Sequence, residues 1–240
     1  MRVAVLYSGG KDSHYALLKT LEAGHEIVCL ITVAPRVEYS YMFHTVNIKW
    51  ALLHGDSMCI PQHLVEVSGE KEREIVELAR ALAELKNRYG LEGVVSGAVA
   101  SRYQKERLDK ISESLGLVHF TPLWGHDPEE LLREEVKIMK FVITAVMAMG
   151  LAERHLGVVV TEEIVEEIIA LSRRYKFSPI GEGGEYESYV VESPLVSIDL
   201  RRGEKKWFPT GWGLYNILDA APRRKCEKFL KARALYLGPR

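Results

Sequence analysis

Apolar positions along the chain fall first into short unbroken runs and then into helical stripes. Val3, Ala4, Val5 and Leu6 form one run, which predicts a buried parallel strand over Arg2–Tyr7. From Lys11 to Ala23, Tyr15, Leu18 and Leu21 recur at helical spacing, and Gly24 offers a stop. Glu26–Val33 is a second apolar run, so strand, glycine turn, helix and strand make a βαβ unit. Pro35–Asn47 is polar and aromatic and reads as a loop, and Ile48–Leu53 is a short apolar stretch ahead of Gly55-Asp56. Leu64–Val67 predicts a third strand. Glu70–Tyr89 predicts a long amphipathic helix, with Ile75, Leu78, Ala79, Leu82 and Leu85 on one face. Gly93–Ser96 predicts a buried strand, Glu106–Leu115 a helix, and Leu117–Leu123 a further strand closed by Pro122. Alternating β and α segments imply an α/β fold, a Rossmann-like parallel sheet with helices on both faces.

The pattern changes near Trp124. Asp127 is a helix cap, with Pro128 in the first turn and Glu130 three residues after the cap. Leu132, Val136, Met139, Ile143 and Val146 carry that helix to about Gly150. Thr161 caps another through Ile164, Ile168 and Leu171, and Tyr189–Leu200 reads as strands. These segments place one domain at residues 1–123 and a smaller mixed α+β domain at residues 124–240. No repeat or flexible linker divides them, so close packing is expected.

Composition narrows the classes. Hydrophobic residues make up 47% of the 240, enough for a real core. The net charge is −1, which gives no general attraction to nucleic acid. No apolar run is long enough to cross a bilayer, and a polar loop cuts the first apolar stretch too early for a signal peptide. Cys29, Cys59 and Cys226 form neither a CxxC pair nor a zinc pattern, so a reduced, cytoplasmic setting is expected. His44 and His63 stand apart from other ligand residues. Trp207, Trp212 and Tyr215 read as local packing, and the basic stretch Arg223–Arg233 as a solvated helix face.

Chemistry concentrates in three motifs. Ser8, Gly9, Gly10, Lys11, Asp12 and Ser13 follow the first strand. Two glycines let backbone N–H groups turn towards an anion, and the next helix adds its positive end. Lys11, on what reads as an exposed turn, adds a mobile charge, and Ser8 and Ser13 add hydroxyls. This is a pyrophosphate cradle but not a Walker A loop, because Asp12 follows Lys11 and Val5 stands where the first glycine is needed. Val95–Leu117 begins at a strand end, where open α/β sheets bind ligands. Gly97 permits close approach there, and Ser101, Tyr103, Gln104 and Arg107 cluster on the loop and helix behind it. Gly181–Ser188, GEGGEYES, sets Glu182, Glu185 and Glu187 around a glycine pair, either as a solvated acidic turn or as a cation site.

The first motif resembles the PP-loop of the ATP pyrophosphatase superfamily. SGAVASRYQKERLDKISESLGL leading into TPLWG, then GEGGEYES followed by ESPL, is similar to the diphthine–ammonia ligase (diphthamide synthetase) family. The resemblance runs from Met1 to about Leu200, with Ser188 where that family usually has Thr. It implies amidation of diphthine on translation elongation factor 2 through an acyl-adenylate, with ATP, Mg²⁺ and free ammonium, giving AMP and pyrophosphate. It further implies that Lys11 and the Ser8–Ser13 backbone hold phosphates and that Asp12 helps hold Mg²⁺. Ile31 and Thr32 would wall the adenine, and Gln104 and Arg107 would address the α phosphate or the substrate carboxylate. Glu182, Glu185, Tyr186 and Glu187 would take either the trimethylammonium of diphthine or ammonium, with Tyr103 beside the substrate. A homo-oligomer is compatible with the sequence. The competing readings are a tRNA thiolase, which lacks its cysteines here, a sulfonucleotide reductase, a ligase for another carboxylate, and a non-catalytic nucleotide module.

Overall fold

A computed structural model describes residues 1–36 and 46–237. In chain order it contains β1 (Arg2–Leu6), α1 (Lys11–Glu22), β2 (Glu26–Pro35), α2 (Leu52–Met58), β3 (Gln62–Val67) and α3 (Arg73–Tyr89). There follow β4 (Gly93–Val95), α4 (Arg102–Ser114), β5 (Val118–Phe120), α5 (Pro128–Ile138), β6 (Lys140–Val146) and α6 (Glu162–Tyr175). The last elements are β7 (Tyr186–Glu192), β8 (Ile198–Phe208), β9 (Trp212–Pro222) and α7 (Cys226–Leu237). Residues 37–45, and with them His44 and most of the expected loop, lie outside the described residues.

The first five strands form one parallel sheet in the order β3-β2-β1-β4-β5. Its inner strands β1, β2 and β4 read as apolar runs because they are buried on both faces. The chain leaves β1 towards β2 on one side and later returns to pair β4 on the other, so the strand order reverses between β1 and β4. In such sheets the crevice at the carboxyl ends of those two strands is where ligands bind. Ser8-Gly9-Gly10 follows β1 and Ser96-Gly97 follows β4.

The expected helix from Asp127 to Gly150 is corrected. Asp127 does cap α5, accepting from the N–H groups of Glu129 and Glu130 at 3.0 Å. The helix ends at Ile138, Met139 turns extended, and β6 begins. Phe141, Val142, Ile143, Ala145 and Val146 are each 0–1% exposed, so they form a fully buried, β-branched strand run that also matches helical spacing. Strand β6 lies inside an antiparallel sheet in the order β7-β6-β9-β8. Helix α4 starts four residues before the expected Glu106, and β9 was not expected at all.

The two sheets share one apolar core, in which Val3, Tyr7 and Leu17 of the first half meet Phe141, Val190 and Leu195 of the second. Helix α1 packs on β7, α5 and α7. Asn47 and Trp50 bind the edge of β9 through the carbonyls of Tyr215 and Ile217, at 2.8 and 3.0 Å. The expectation of three reduced cysteines is also corrected. Cys59 and Cys226 form a disulfide, while Cys29 is free and buried. Most of the basic stretch after Arg223 is solvated, as its composition suggests, but Phe229 is buried and Lys225 is tied to Glu192 and to the Ser193 carbonyl. Among the described residues no helix is long and apolar enough to cross a membrane.

Candidate active site

The glycine turn owes its shape to crowding. Gly9 has φ of +81°, which L side chains rarely adopt, and a Cβ there would meet Ala51 at 3.1 Å. Gly10 lies under β7, where a Cβ would come within 3.3 Å of the Ser188 carbonyl. The Gly9 carbonyl accepts from Val190 N–H at 2.9 Å, so the turn is bonded to β7. Ser188 Oγ accepts from Lys11 N–H at 3.2 Å, capping α1 from the other half of the chain. Ser8 Oγ and Ser13 Oγ lie 3.2 Å apart across the turn. Gly97 brings the β4–α4 loop onto the start of α1, since a Cβ would sit 2.8 Å from the Asp12 carbonyl carbon and the Ser13 nitrogen.

These segments open onto a cavity of about 1380 Å³. Ser8, Gly10, Lys11, Asp12, Ser13, Ile31, Gly97, Ser101, Tyr103 and Gln104 line one part of it, together with Glu182, Tyr186 and Glu187 of the acidic loop. The β8–β9 hairpin also lines it, and there Phe208 and Trp212 stack with centroids 3.9 Å apart. Sequence reasoning took Trp212 for packing alone, because nothing local showed that the hairpin would reach the phosphate turn. Met147, at the end of β6, also lines the cavity.

Several expected residues stand differently. Lys11 is not exposed: it is 1% accessible, and its Nζ donates to Asp12 Oδ1 and to the Ile180 carbonyl, both at 2.7 Å. Glu135 Oε2 of α5 lies 3.5 Å from the same nitrogen. Burial alone would lower the Lys11 pKa, but the Asp12 and Glu135 carboxyls override it and hold the amine charged. Burial pushes Glu135 well above the usual carboxylate range, against the pull of Lys11. Thr32 faces away from the cavity, donating to the Tyr7 carbonyl and accepting from Gln62, both at 2.7 Å. Arg107 is not among the described residues that line the cavity. Its guanidinium lies 3.5 Å above the Tyr103 ring centroid and pairs with Glu72. Ser101 caps α4, accepting from Gln104 N–H at 3.4 Å.

The acidic loop divides its labour. Glu182 accepts from the N–H groups of Val99 and Ala100 at 2.7 and 2.6 Å, which fastens the loop to the β4–α4 connection. Glu185 turns back on its own loop, accepting from Ser178 and Gly183 N–H at 3.0 and 2.8 Å, and is not among the lining residues. Glu187 does line the cavity. Glu135 and Ile180 were missed in the sequence, since a Glu in an amphipathic helix gives no sign that it is buried.

Behind the turn lies an ordered chain of neutral groups. His54 Nε2–H donates to the Val190 carbonyl at 2.8 Å, so its Nδ1 accepts from the Tyr7 hydroxyl at 2.8 Å. The Tyr7 oxygen then accepts from His14 Nδ1–H at 2.7 Å, and His14 Nε2 accepts from Ser193 Oγ–H at 2.8 Å. Burial holds both histidines down to about 3, with the neighbouring His54 and Lys225 adding to the effect at His14.

A phosphate-type glycine turn at the reversal point of a parallel sheet, closed over by a second sheet, defines an α/β enzyme that handles a nucleotide. Family models agree in detail: residues 1–119 match the diphthamide synthase N-terminal domain and residues 127–221 the diphthamide synthase C-terminal domain. The chain belongs to the diphthamide synthase family. It is 34% identical to a diphthine–ammonia ligase of Mus musculus, over 81% of this chain and 80% of that one. The corresponding figures for Homo sapiens are 33%, 81% and 80%. A Saccharomyces cerevisiae protein of the same name is 30% identical over 81% of this chain and 33% of its own length.

Proposed function

We propose that this enzyme amidates diphthine on translation elongation factor 2, using ATP and ammonium, by way of an acyl-adenylate. One observation carries the reading: the phosphate turn and the Glu187–Trp212 wall open into one cavity, so nucleotide and a bulky cationic side chain have room side by side. A carboxylate is a poor acylating agent. Its oxygen attacks the α phosphorus, pyrophosphate leaves, and ammonia then displaces AMP.

Ser8, Gly10 and Ser13, which line the cavity, would cradle the β and γ phosphates at the start of α1 and stabilise the charge of departing pyrophosphate. Ile31 and Val33 line the cavity at the end of β2 and suit adenine. Gln104, which lines the cavity, would address the α phosphate or the substrate carboxylate. Mg²⁺ fits the donor set, because it needs only one or two carboxylates besides phosphates and water, and the Asp12 carboxylate lines the cavity. When bound, it neutralises phosphate charge. Glu187 and the aromatic hairpin face the trimethylammonium of diphthine. A translation factor as substrate suits a cytoplasmic reaction.

The decisive assay combines ATP, ammonium and diphthine-bearing elongation factor 2. The expected outcome is a mass change on the factor with one AMP released per amide. ADP as product, or an unchanged factor, overturns the reading.

A further inference from the structure

Four groups surround the Lys11 ammonium. Asp12 Oδ1 and the Ile180 carbonyl lie at 2.7 Å, Glu135 Oε2 at 3.5 Å, and the Tyr186 ring centroid at 5.6 Å. Together they form a receptor for a small monovalent ammonium, assembled from both halves of the chain and filled by the protein's own side chain. Glu135 is 0% exposed, and neither of its oxygens completes a hydrogen bond among the described residues. A buried carboxyl without such partners is costly to keep, and this one is aimed at the cage.

The same lysine belongs to the phosphate turn, and one ammonium cannot serve cage and phosphates together. Once ATP draws Lys11 away, the half-buried Asp12 and the buried Glu135 are left with no cation between them, and they must take up either a proton or another cation. We infer that the vacated cage then takes the substrate ammonium ion, held by Asp12, Glu135, the Ile180 carbonyl and the Tyr186 ring. This assignment rests on the proposed ligase reading, in which ammonium supplies the nitrogen. An ammonium ion presents the same N–H donors as a lysine head group, and an aromatic face suits a cation of low charge density. Asp12 Oδ1 faces the cage, which leaves its other oxygen for Mg²⁺ at the phosphates, and an aromatic face does not suit a divalent ion that demands near-octahedral oxygen coordination. Asp12, Ile180 and Tyr186 line the main cavity, so the nitrogen would wait beside the phosphate turn.

Crystals grown with a non-hydrolysable ATP analogue and thallium(I), a heavy stand-in for ammonium, test the site directly. Thallium should occupy the cage, with Lys11 Nζ moved to the phosphates. Lys11 still in the cage beside bound analogue overturns the inference, and so does a divalent ion there. A kinetic arm uses Glu135→Gln, which keeps shape but cannot ionise. Its KM for ammonium should rise about tenfold or more, while its KM for ATP stays near wild type. An unchanged ammonium KM in the folded variant overturns the site. If the variant does not fold, the thallium experiment decides alone. Failure of the wild-type enzyme to amidate the factor would instead remove the ligase reading, and the thallium result does not depend on it.

Discussion

Lys11 shows how much a residue's role depends on neighbours far along the chain. Its type and place beside two glycines were legible in the sequence, and they pointed to an anion. Burial was not legible, because Glu135 and Ile180 arrive from later elements. Lys11→Met therefore does more than silence the phosphate turn. It removes the ammonium that Glu135 faces, so the buried carboxyl must take up a proton or stay charged without a partner, at a cost of up to about 3–5 kcal/mol. Urea denaturation should show that loss, and adding Glu135→Leu should recover part of it. Two equally stable single and double variants would mean that the pair is not coupled. The histidine chain gives a second expectation at this scale. His14 and His54 titrate near 6.5 when exposed and only near 3 in the fold. Between those values the unfolded chain binds more protons, so stability is full above about pH 6.5 and falls as the pH drops. Each histidine contributes up to ~1.4 kcal/mol per pH unit in that window. Thermal melts from pH 7.5 to 5 should show the slope, and His14→Gln should reduce it. A pH-independent midpoint would contradict the neutral, fully bonded chain.

At the scale of elements, the inner parallel strands β1, β2 and β4 were legible because burial on both faces makes them continuous apolar runs. The same property misled at β6, whose run after α5 mimics another two turns of helix. The β8–β9 hairpin was obscured differently. Arg201, Arg202, Glu204, Lys205 and Lys206 are exposed or half-buried and break the apolar alternation of β8. The site was legible in its glycines and only partly in its carboxylates, because a carboxylate's partners are set by tertiary contacts. Gly97 is a case where the glycine's reason is now physical: its neighbours are backbone atoms of α1 and cannot swing aside. Gly97→Ala should cost about 1–3 kcal/mol of stability and weaken ATP binding by displacing the start of that helix. Isothermal titration beside a thermal melt would check both. An alanine variant that binds ATP like wild type would show that the turn is softer than its packing implies. Glu182→Ala should free the acidic loop and speed its proteolysis, because two charge-assisted bonds of about 1.5–3 kcal/mol each are lost. A loop cut no faster than in wild type would argue that Glu185 alone holds it.

Across the whole molecule, the last helix works as a strap. Lys225 N–H donates to the Ser57 carbonyl at 2.6 Å, and Ser57 Oγ donates to the Arg223 carbonyl at 2.7 Å. Beside them the Cys59–Cys226 disulfide joins positions 167 residues apart, with Cα atoms at 5.2 Å. No spacing rule in the sequence could reveal that pairing, since only the fold brings α2 and α7 together. On a chain-entropy account a loop of this length is worth about 5 kcal/mol against the unfolded state. A reducing agent should therefore lower the midpoint of thermal unfolding, and Cys59→Ser should abolish that sensitivity. Equal midpoints with and without reductant would show the bond to be absent in solution.

The cap on α1 comes from Ser188, 177 positions beyond the N–H group that it satisfies. The strand holding the glycine turn in place, β7, comes from the same distant region. On the ribosome, the phosphate turn emerges well before β7 and stays unfinished until that strand arrives. Domains made early in synthesis usually fold as units while the rest of the chain is still being added. Here the first sheet can form on that schedule, but its anion site stays open and uncapped until β7 docks. A nascent chain would acquire its nucleotide grip only after the 177 positions that separate Lys11 from Ser188 have been translated.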